Sequence, residues 1–183
     1  MTRPLAGASS TAISCSLSAA EIPAIIGVRG RRIQISLAAA LMLGADGVLI
    51  GTRFIATAES GAPHGFREAV VAADGDRTIK TTTVDIARNY HWPTGEFVAR
   101  VLNNRFVAAW HGREDQLAEE PTLTAQGRLY WEAFHAGDAE NTGVLMGEAA
   151  GVIQSVESAA RVIEDMVGQA ERLLADGPRR IVD

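Results

Sequence analysis

The order of apolar and polar positions changes character near Phe54. Before it, a short apolar run at 22–26, with Ile22, Ala24, Ile25 and Ile26 around Pro23, reads as a buried parallel strand. Positions 27–34, GVRGRRIQ, read as a loop. Seven apolar residues at 37–43 are strong helix formers. Ser36 stands ready to cap their start and Gly44 to end them in a left-handed turn. Asp46 and Gly47 then turn the chain into Val48, Leu49 and Ile50, a strand apolar on both faces, as in a parallel sheet covered by helices. The predicted unit is strand–helix–strand, closed by Gly51 and Thr52.

Beyond Phe54 the pattern becomes mainly helical. Helices are predicted at 64–73, after Pro63, and at 95–102, 122–135 and 159–174. The last is the clearest: Ile163, Met166, Val167, Ala170, Leu173 and Leu174 recur at helical spacing, and Gly177-Pro178 follow. One β-branched stretch, TIKTTTV at 78–84, reads as a strand. The predicted organisation is a loose segment over 1–20, the last strand–helix–strand part of a barrel over 21–60, a mostly helical inserted domain over 61–150, and a returning C-terminal helix over 151–183.

Composition sharpens this division. All ten aromatic residues lie between Phe54 and Phe134, so the middle of the chain is expected to hold its own compact core. With 47% hydrophobic and 21% charged residues among 183, the chain is globular in character. A net charge of -5 gives no general nucleic-acid footprint, and the single Cys15 excludes an internal disulfide and a cysteine-built metal site. The longest apolar run is too short to span a bilayer and the first 20 residues make a poor signal peptide, so a cytoplasmic setting is expected. Arg29, Arg31 and Arg32 form a basic cluster that reads as a solvated turn.

The segment with most chemical content is 46–54, DGVLIGTRF. A buried strand ends in a glycine, which lets a ligand approach the main chain, and in a threonine, which adds a hydroxyl donor. Amides at Gly51, Thr52 and Arg53 suit an oxyanion. The same pattern also fits a plain strand end in any α/β protein. His111 with Glu114, and His135 near Asp138 and Glu140, lack a second histidine at ligand spacing and read as surface polar residues, so no metal site is expected. Trp92, Trp110, Trp131 and Tyr130 read as core packing rather than a stacking platform.

The stretch 37–54, LAAALMLGADGVLIGTRF, resembles the last helix–strand segment of the nitronate monooxygenase (2-nitropropane dioxygenase) family. The likeness continues through ATAES at 56–60, RNYHWP at 88–93, NRF at 104–106, WHGRE at 110–114, Gly137-Asp138 and GEAAGVI at 147–153. It spans about 37–174. Each motif alone is weak, and their order and spacing together are specific.

The resemblance implies an α/β fold: the C-terminal portion of an FMN-dependent TIM-type barrel with a mostly helical second domain after strand eight. It implies flavin-dependent oxidation of alkyl nitronates with oxygen. Carried over by position, the strand-eight contacts to FMN fall on Leu49, Ile50, Gly51 and Thr52, and the strand-seven contact on Gly27. Many relatives carry glutamine where Leu49 stands, which removes a polar contact to the flavin here. The late Gly147-Glu148 turn comes back towards the flavin in this family, so Glu148 is a substrate-side candidate and equally an exposed turn residue. The family's catalytic histidine sits in a Gly-Gly-His motif upstream of strand seven. His64, His91, His111 and His135 all follow strand eight, so no catalytic residue is assigned in this chain.

A full barrel takes about 200–250 residues, and only 46 precede Gly47. The chain is therefore expected to be incomplete as an enzyme on its own, with weak FMN binding, low stability or self-association. Its alternatives are an inactive remnant or interaction module, a barrel completed in trans by a separate N-terminal half, or part of another phosphate-binding barrel enzyme, such as one like IMP dehydrogenase or an enoyl reductase. The break in likeness before Leu37 leads to the further expectation of a disrupted gene, with a frame change between about Gly27 and Leu37.

Overall fold

The computed structural model describes residues 25–27, 33–92 and 97–177, with side chains described from residue 37 onward. The expected loose segment over 1–20, the first residues of the predicted strand and the cluster of Arg29, Arg31 and Arg32 lie outside the described residues. In chain order the elements are β1 (Ile25–Gly27), α1 (Ile33–Met42), β2 (Gly47–Leu49), α2 (Thr52–Ile55), α3 (His64–Ala72), β3 (Thr78–Thr81), α4 (Thr83–Ala87), β4 (Ala99–Leu102), α5 (Arg105–Trp110), α6 (Glu114–Ala118), α7 (Thr122–Ala136) and α8 (Ala159–Asp176). Short 3-10 turns occupy Gly75–Arg77 and Glu148–Val152. No described helix is long and apolar enough to cross a membrane. The described residues form two compact units, the first from those up to Ile50 together with those from Ser158 on, the second from those between Gly51 and Glu157.

In the first unit β1 and β2 pair in parallel, with Ile25 beside Gly47, Ile26 beside Val48 and Gly27 beside Leu49. The parallel strand–helix–strand arrangement agrees with the sequence pattern. Helix α1 begins at Ile33, a turn earlier than predicted, so Ser36 lies inside it and is not its cap. The run of strong helix formers extends back through Gln34 because nothing there breaks it. Its end is as expected. Gly44 takes φ +87, a left-handed conformation that only glycine adopts freely. The amide of Gly44 donates to Leu41 O at 3.0 Å and that of Ala45 to Ala40 O at 3.0 Å. These two bonds satisfy the last helical carbonyls, and the buried Ala40 and Ala45 meet beneath them.

Helix α8 starts at Ser158, whose hydroxyl accepts from the Arg161 amide at 3.1 Å. It packs on α1 through Val162, Met166 and Ala170, spaced four apart. The apolar stripe of α8 is wider than the face it buries, because Ile163, Val167 and Leu174 stay exposed. Strand β2 departs from expectation in the same sense: Leu49 is 66% exposed, so this strand is not covered on both faces. Met42 and Leu43 at the end of α1 are also exposed.

The second unit contains every aromatic residue and two apolar cores. Phe66 and Val70 of α3 pack with Val144, Met146 and Ile153, and Phe66 meets Phe134 edge-on at 5.3 Å. Val84, Val101, Val107 and Leu117 pack with Tyr130, whose ring meets Phe106 at 5.4 Å. Burial pushes the Tyr130 hydroxyl pKa above its ordinary 10.0. The aromatic set is not all core, since Tyr90, Trp92, Phe97 and Trp131 are exposed.

The segment 95–102 departs from the predicted helix. Its residues 99–102 form β4, antiparallel to β3, with Thr78 beside Leu102, Ile79 beside Val101, Lys80 beside Arg100 and Thr81 beside Ala99. Ala, Arg and Leu have good helix propensity, and the partner strand overrides it. Strand β3 in turn ends at Thr81, short of the predicted 84. The Thr81 hydroxyl accepts the amide of Thr83 at 3.2 Å, a local bond that turns the chain out of the sheet and into α4.

Asn104 holds the second unit together around α5. Its side-chain oxygen accepts from the Val107 amide at 3.0 Å, capping the helix. Its amide nitrogen donates to Ala139 O and to Thr142 O, both at 2.6 Å. The loop after α7 is thereby tied to the start of α5. Asp138 shapes that loop, accepting from the Glu140 amide at 2.9 Å and from Asn141 Nδ2 at 2.6 Å. The Asn141 bond is the main cause that holds the Asp138 carboxyl below its ordinary pKa of 3.8.

Candidate functional site

Strand β2 gives way to α2 at Ile50 and Gly51, and the residues singled out by sequence fall on either side of that step. On one side, the parallel ladder sets Gly27 beside Leu49, with Leu49 exposed and Ile50 half-buried. On the other, Gly51 precedes α2 with φ -103 and ψ -77, a backbone any residue adopts. A Cβ placed on Gly51 meets nothing within 4 Å. The space beside it is open to a ligand. Thr52 and Arg53 occupy the first turn of α2, where helical amides have no partner within the helix.

Thr52 is held from a distant part of the second unit. Its Oγ1 accepts the amide of Gly147 at 2.8 Å. A threonine hydroxyl carries one proton and two lone pairs, so this bond occupies an acceptor position and leaves the proton to donate elsewhere. Gly147 lies close enough that a Cβ there would come within 3.4 Å of the Thr52 oxygen.

Glu148, the next residue, pairs with Arg100 of β4 at 2.9 Å. Arg100 Nη1 also donates to Thr78 Oγ1 at 3.0 Å and to Thr78 O at 3.3 Å across the β3–β4 pair. Both charged side chains are partly exposed. The second unit thus brings Thr52, Gly147 and Glu148 together, while Gly27, Leu49 and Ile50 belong to the first. Arg100 was missed by sequence reasoning because the segment was read as a helix. Once 99–102 is a strand, its alternation sets Arg100 beside Lys80 and apart from the buried Val101.

The loop ahead of α8 is fixed by Arg53. It donates to Ala56 O at 2.9 Å and Ser155 O at 3.1 Å and sits 3.5 Å from Glu157. Other titratable residues are dispersed. His111 Nδ1 lies 3.4 Å from Glu114, three positions on along the chain, and His135 stacks on the Trp131 ring. Among the described residues no three His, Cys, Asp or Glu side chains gather as metal ligands would.

Comparison with known proteins agrees with the sequence motifs. A family profile for nitronate monooxygenases matches residues 10–169, and the chain belongs to this family. The match starts well upstream of Leu37, so the likeness is not confined to the stretch from Leu37 onward. A Metarhizium robertsii protein, "Nitronate monooxygenase npaC", is 33% identical over 150 residues, covering 75% of this chain and 38% of its own length. A Staphylococcus saprophyticus protein named "Probable nitronate monooxygenase" is 29% identical over 139 residues, covering 75% and 36%. The chain spans under half the length of these relatives.

Solved structures are similar as well, two of them as follows. FabK from Thermotoga maritima aligns with a TM-score of 0.66 and 25% identity, over 89% of this chain and 48% of that one. Nitroalkane oxidase from Streptomyces ansochromogenes aligns with a TM-score of 0.63 and 27% identity, over 84% and 40%. The mixed helix-and-sheet fold is thus that of part of a larger enzyme fold.

Proposed function

We propose that this chain carries the phosphate-binding end of an FMN site in an enzyme that oxidises alkyl nitronates with oxygen, on a TIM-type barrel. Family membership over residues 10–169 is the observation that carries the reading. The residues at the strand-eight end fit the group. Open space beside Gly51 allows a phosphate to reach the main chain, and the Thr52 hydroxyl retains a proton to donate.

When bound, the flavin would supply the redox chemistry, taking electrons from the nitronate and meeting oxygen once reduced. The residues of this chain bind and orient it. Amides of Thr52 and Arg53 and the Thr52 hydroxyl bind the phosphate and Gly51 leaves room for it, while Gly27, Leu49 and Ile50, in the first unit, stay the strand-end contacts that the family resemblance supplies. Glu148, paired with Arg100, acts through the position of its loop more than as a free carboxylate. Among the described residues, the exposed Leu49 and one parallel strand pair enclose little of a flavin ring. Sites that bind cofactors tightly bury most of the ligand, so the 183 residues alone bind FMN weakly.

The FabK likeness favours a second reading, part of another phosphate-binding barrel enzyme with a different reaction. Titrating the purified chain with FMN, with and without inorganic phosphate, tests the site. Weak, saturable binding that phosphate competes away is the expected result, and binding insensitive to phosphate removes the assignment. Nitronate-dependent oxygen uptake by a full-length relative carrying this segment separates the two reactions.

A further inference from the structure

The bond between Gly147 and Thr52 spans 95 positions of sequence, and something must hold the loop at 147–148 in place for it to persist. Thr52 itself sits on a four-residue helix. Gly147 has no side chain to anchor it. Its carbonyl accepts the Ala150 amide at 3.1 Å within the same short turn, and the nearest side-chain restraint from outside the turn is the next residue: Glu148 reaches Arg100 at 2.9 Å. Arg100 is fixed independently, by two bonds to Thr78 on the neighbouring strand and by its own place in β4. Its main chain also serves this loop, since Arg100 O accepts the amide of Met146 at 3.2 Å. Backbone and side chain of one residue therefore clamp both neighbours of Gly147.

We propose that Arg100 is a positioning residue for the cofactor phosphate: by holding Glu148 it keeps the Gly147 amide on Thr52 Oγ1 and so aims the Thr52 hydroxyl proton at the phosphate. The inference rests on the reading of Gly51 and Thr52 as the phosphate site. Without the Gly147 amide, the Thr52 hydroxyl is free to rotate and to spend its proton on a nearby carbonyl, as threonine does in first helical turns. With the amide in place, one lone pair is occupied and the proton is directed away from Gly147. A planar guanidinium suits this task because it binds a carboxylate and a second acceptor at fixed angles, which a lysine ammonium does not.

The test compares Arg100→Met with Arg100→Lys, Thr52→Val and the Arg100→Met/Thr52→Val double variant, all in the full chain. Glu148 is partly exposed, so water takes over its charge when Arg100 is lost and the variant is expected to fold. Two readings are taken: hydrogen exchange at the Gly147 amide without ligand, and FMN affinity by fluorescence titration. In Arg100→Met the Gly147 amide exchanges at least about tenfold faster, reporting the opened bond. FMN affinity falls by about tenfold, close to the loss in Thr52→Val, and the double variant loses no more than either single one. Arg100→Lys, which keeps a cation for Glu148 but loses the fork that also grips Thr78, recovers only a minor part of either. Unchanged Gly147 exchange in Arg100→Met overturns the inference, as does an equal loss of FMN affinity whether or not Thr52 is present. A wild-type chain that takes up no FMN defeats the phosphate-site reading instead, while the exchange result still decides whether Arg100 holds Gly147 on Thr52.

Discussion

The amide of Gly147 rests on the hydroxyl of Thr52 at 2.8 Å, joining the end of the strand-eight motif to a loop near the other end of the second unit. A hydroxyl that accepts from one side has its proton left for the other. A residue that sequence alone offers as a generic donor becomes an oriented one. The remaining contacts in this region, from Arg100 to Glu148 and from Arg53 to the loop at 155–157, restrain the same segments.

Thr52→Val removes the hydroxyl and keeps the shape. FMN affinity is expected to fall by about 1–3 kcal/mol, the range for a hydrogen bond to a charged group or a group left unpaired. Thr52→Ser keeps the hydroxyl and recovers most of that loss. Titration of the three proteins checks this, and equal affinities would take Thr52 out of the site.

Gly51→Val separates ligand approach from folding. The backbone there is ordinary for any residue and a Cβ meets nothing within 4 Å, so the melting temperature should barely change. A branched side chain in that open space blocks a phosphate from the main chain, and FMN binding should disappear. Thermal denaturation and flavin titration on the same preparation distinguish the outcomes. A large fall in melting temperature contradicts the open-space account.

Asn104→Ala tests the core of the second unit. The buried side chain caps α5 and satisfies two carbonyls of the loop at 139–142. Losing the cap and leaving those carbonyls unpaired should cost about 2–4 kcal/mol in chemical denaturation. A loss below about 1 kcal/mol means water replaces the amide, and the tie is then not structural.

Asp138 gives a pH dependence of known sign. Its folded pKa lies below the ordinary 3.8, so its stabilisation is present above that value and is lost as pH falls through the lower folded value. Asp138→Asn should therefore be less stable than wild type at neutral pH, with the gap closing in acid below pH 3.8. The effect is small because the carboxylate is largely solvated. A gap that stays constant down through the acid range would exclude Asp138 as its source.

The first unit leaves Met42, Leu43, Leu49 and Ile163 exposed together with part of α8, and such apolar surface promotes association. Sedimentation of the purified chain is expected to show self-association that weakens in Met42→Glu/Leu49→Glu. A wild-type monomer at high concentration speaks against it.

Local signals made several elements legible. The Gly44 stop, helix α7 and helix α8 follow from propensity, capping and periodicity within single segments. The motif order was enough to identify the family. What sequence did not reveal depends on partners far along the chain. Residues 99–102 are a strand because Thr78–Thr81 pair with them, and Val101 alone is too weak a local signal against Ala99, Arg100 and Leu102. Leu49 reads as buried from its strand, yet lies open because nothing among the described residues covers it. The hold of Arg100 on Glu148, and through it on Gly147 and Thr52, requires two long-range contacts at once, which no motif encodes.

The most direct measurement is the phosphorus NMR signal of FMN titrated with the wild-type chain and with Gly51→Val. A phosphate seated at Gly51 and Thr52 shifts and broadens in the presence of the wild-type chain and returns to its free position with Gly51→Val. A phosphate signal that does not respond to the wild-type chain, or that responds equally to both proteins, contradicts the account.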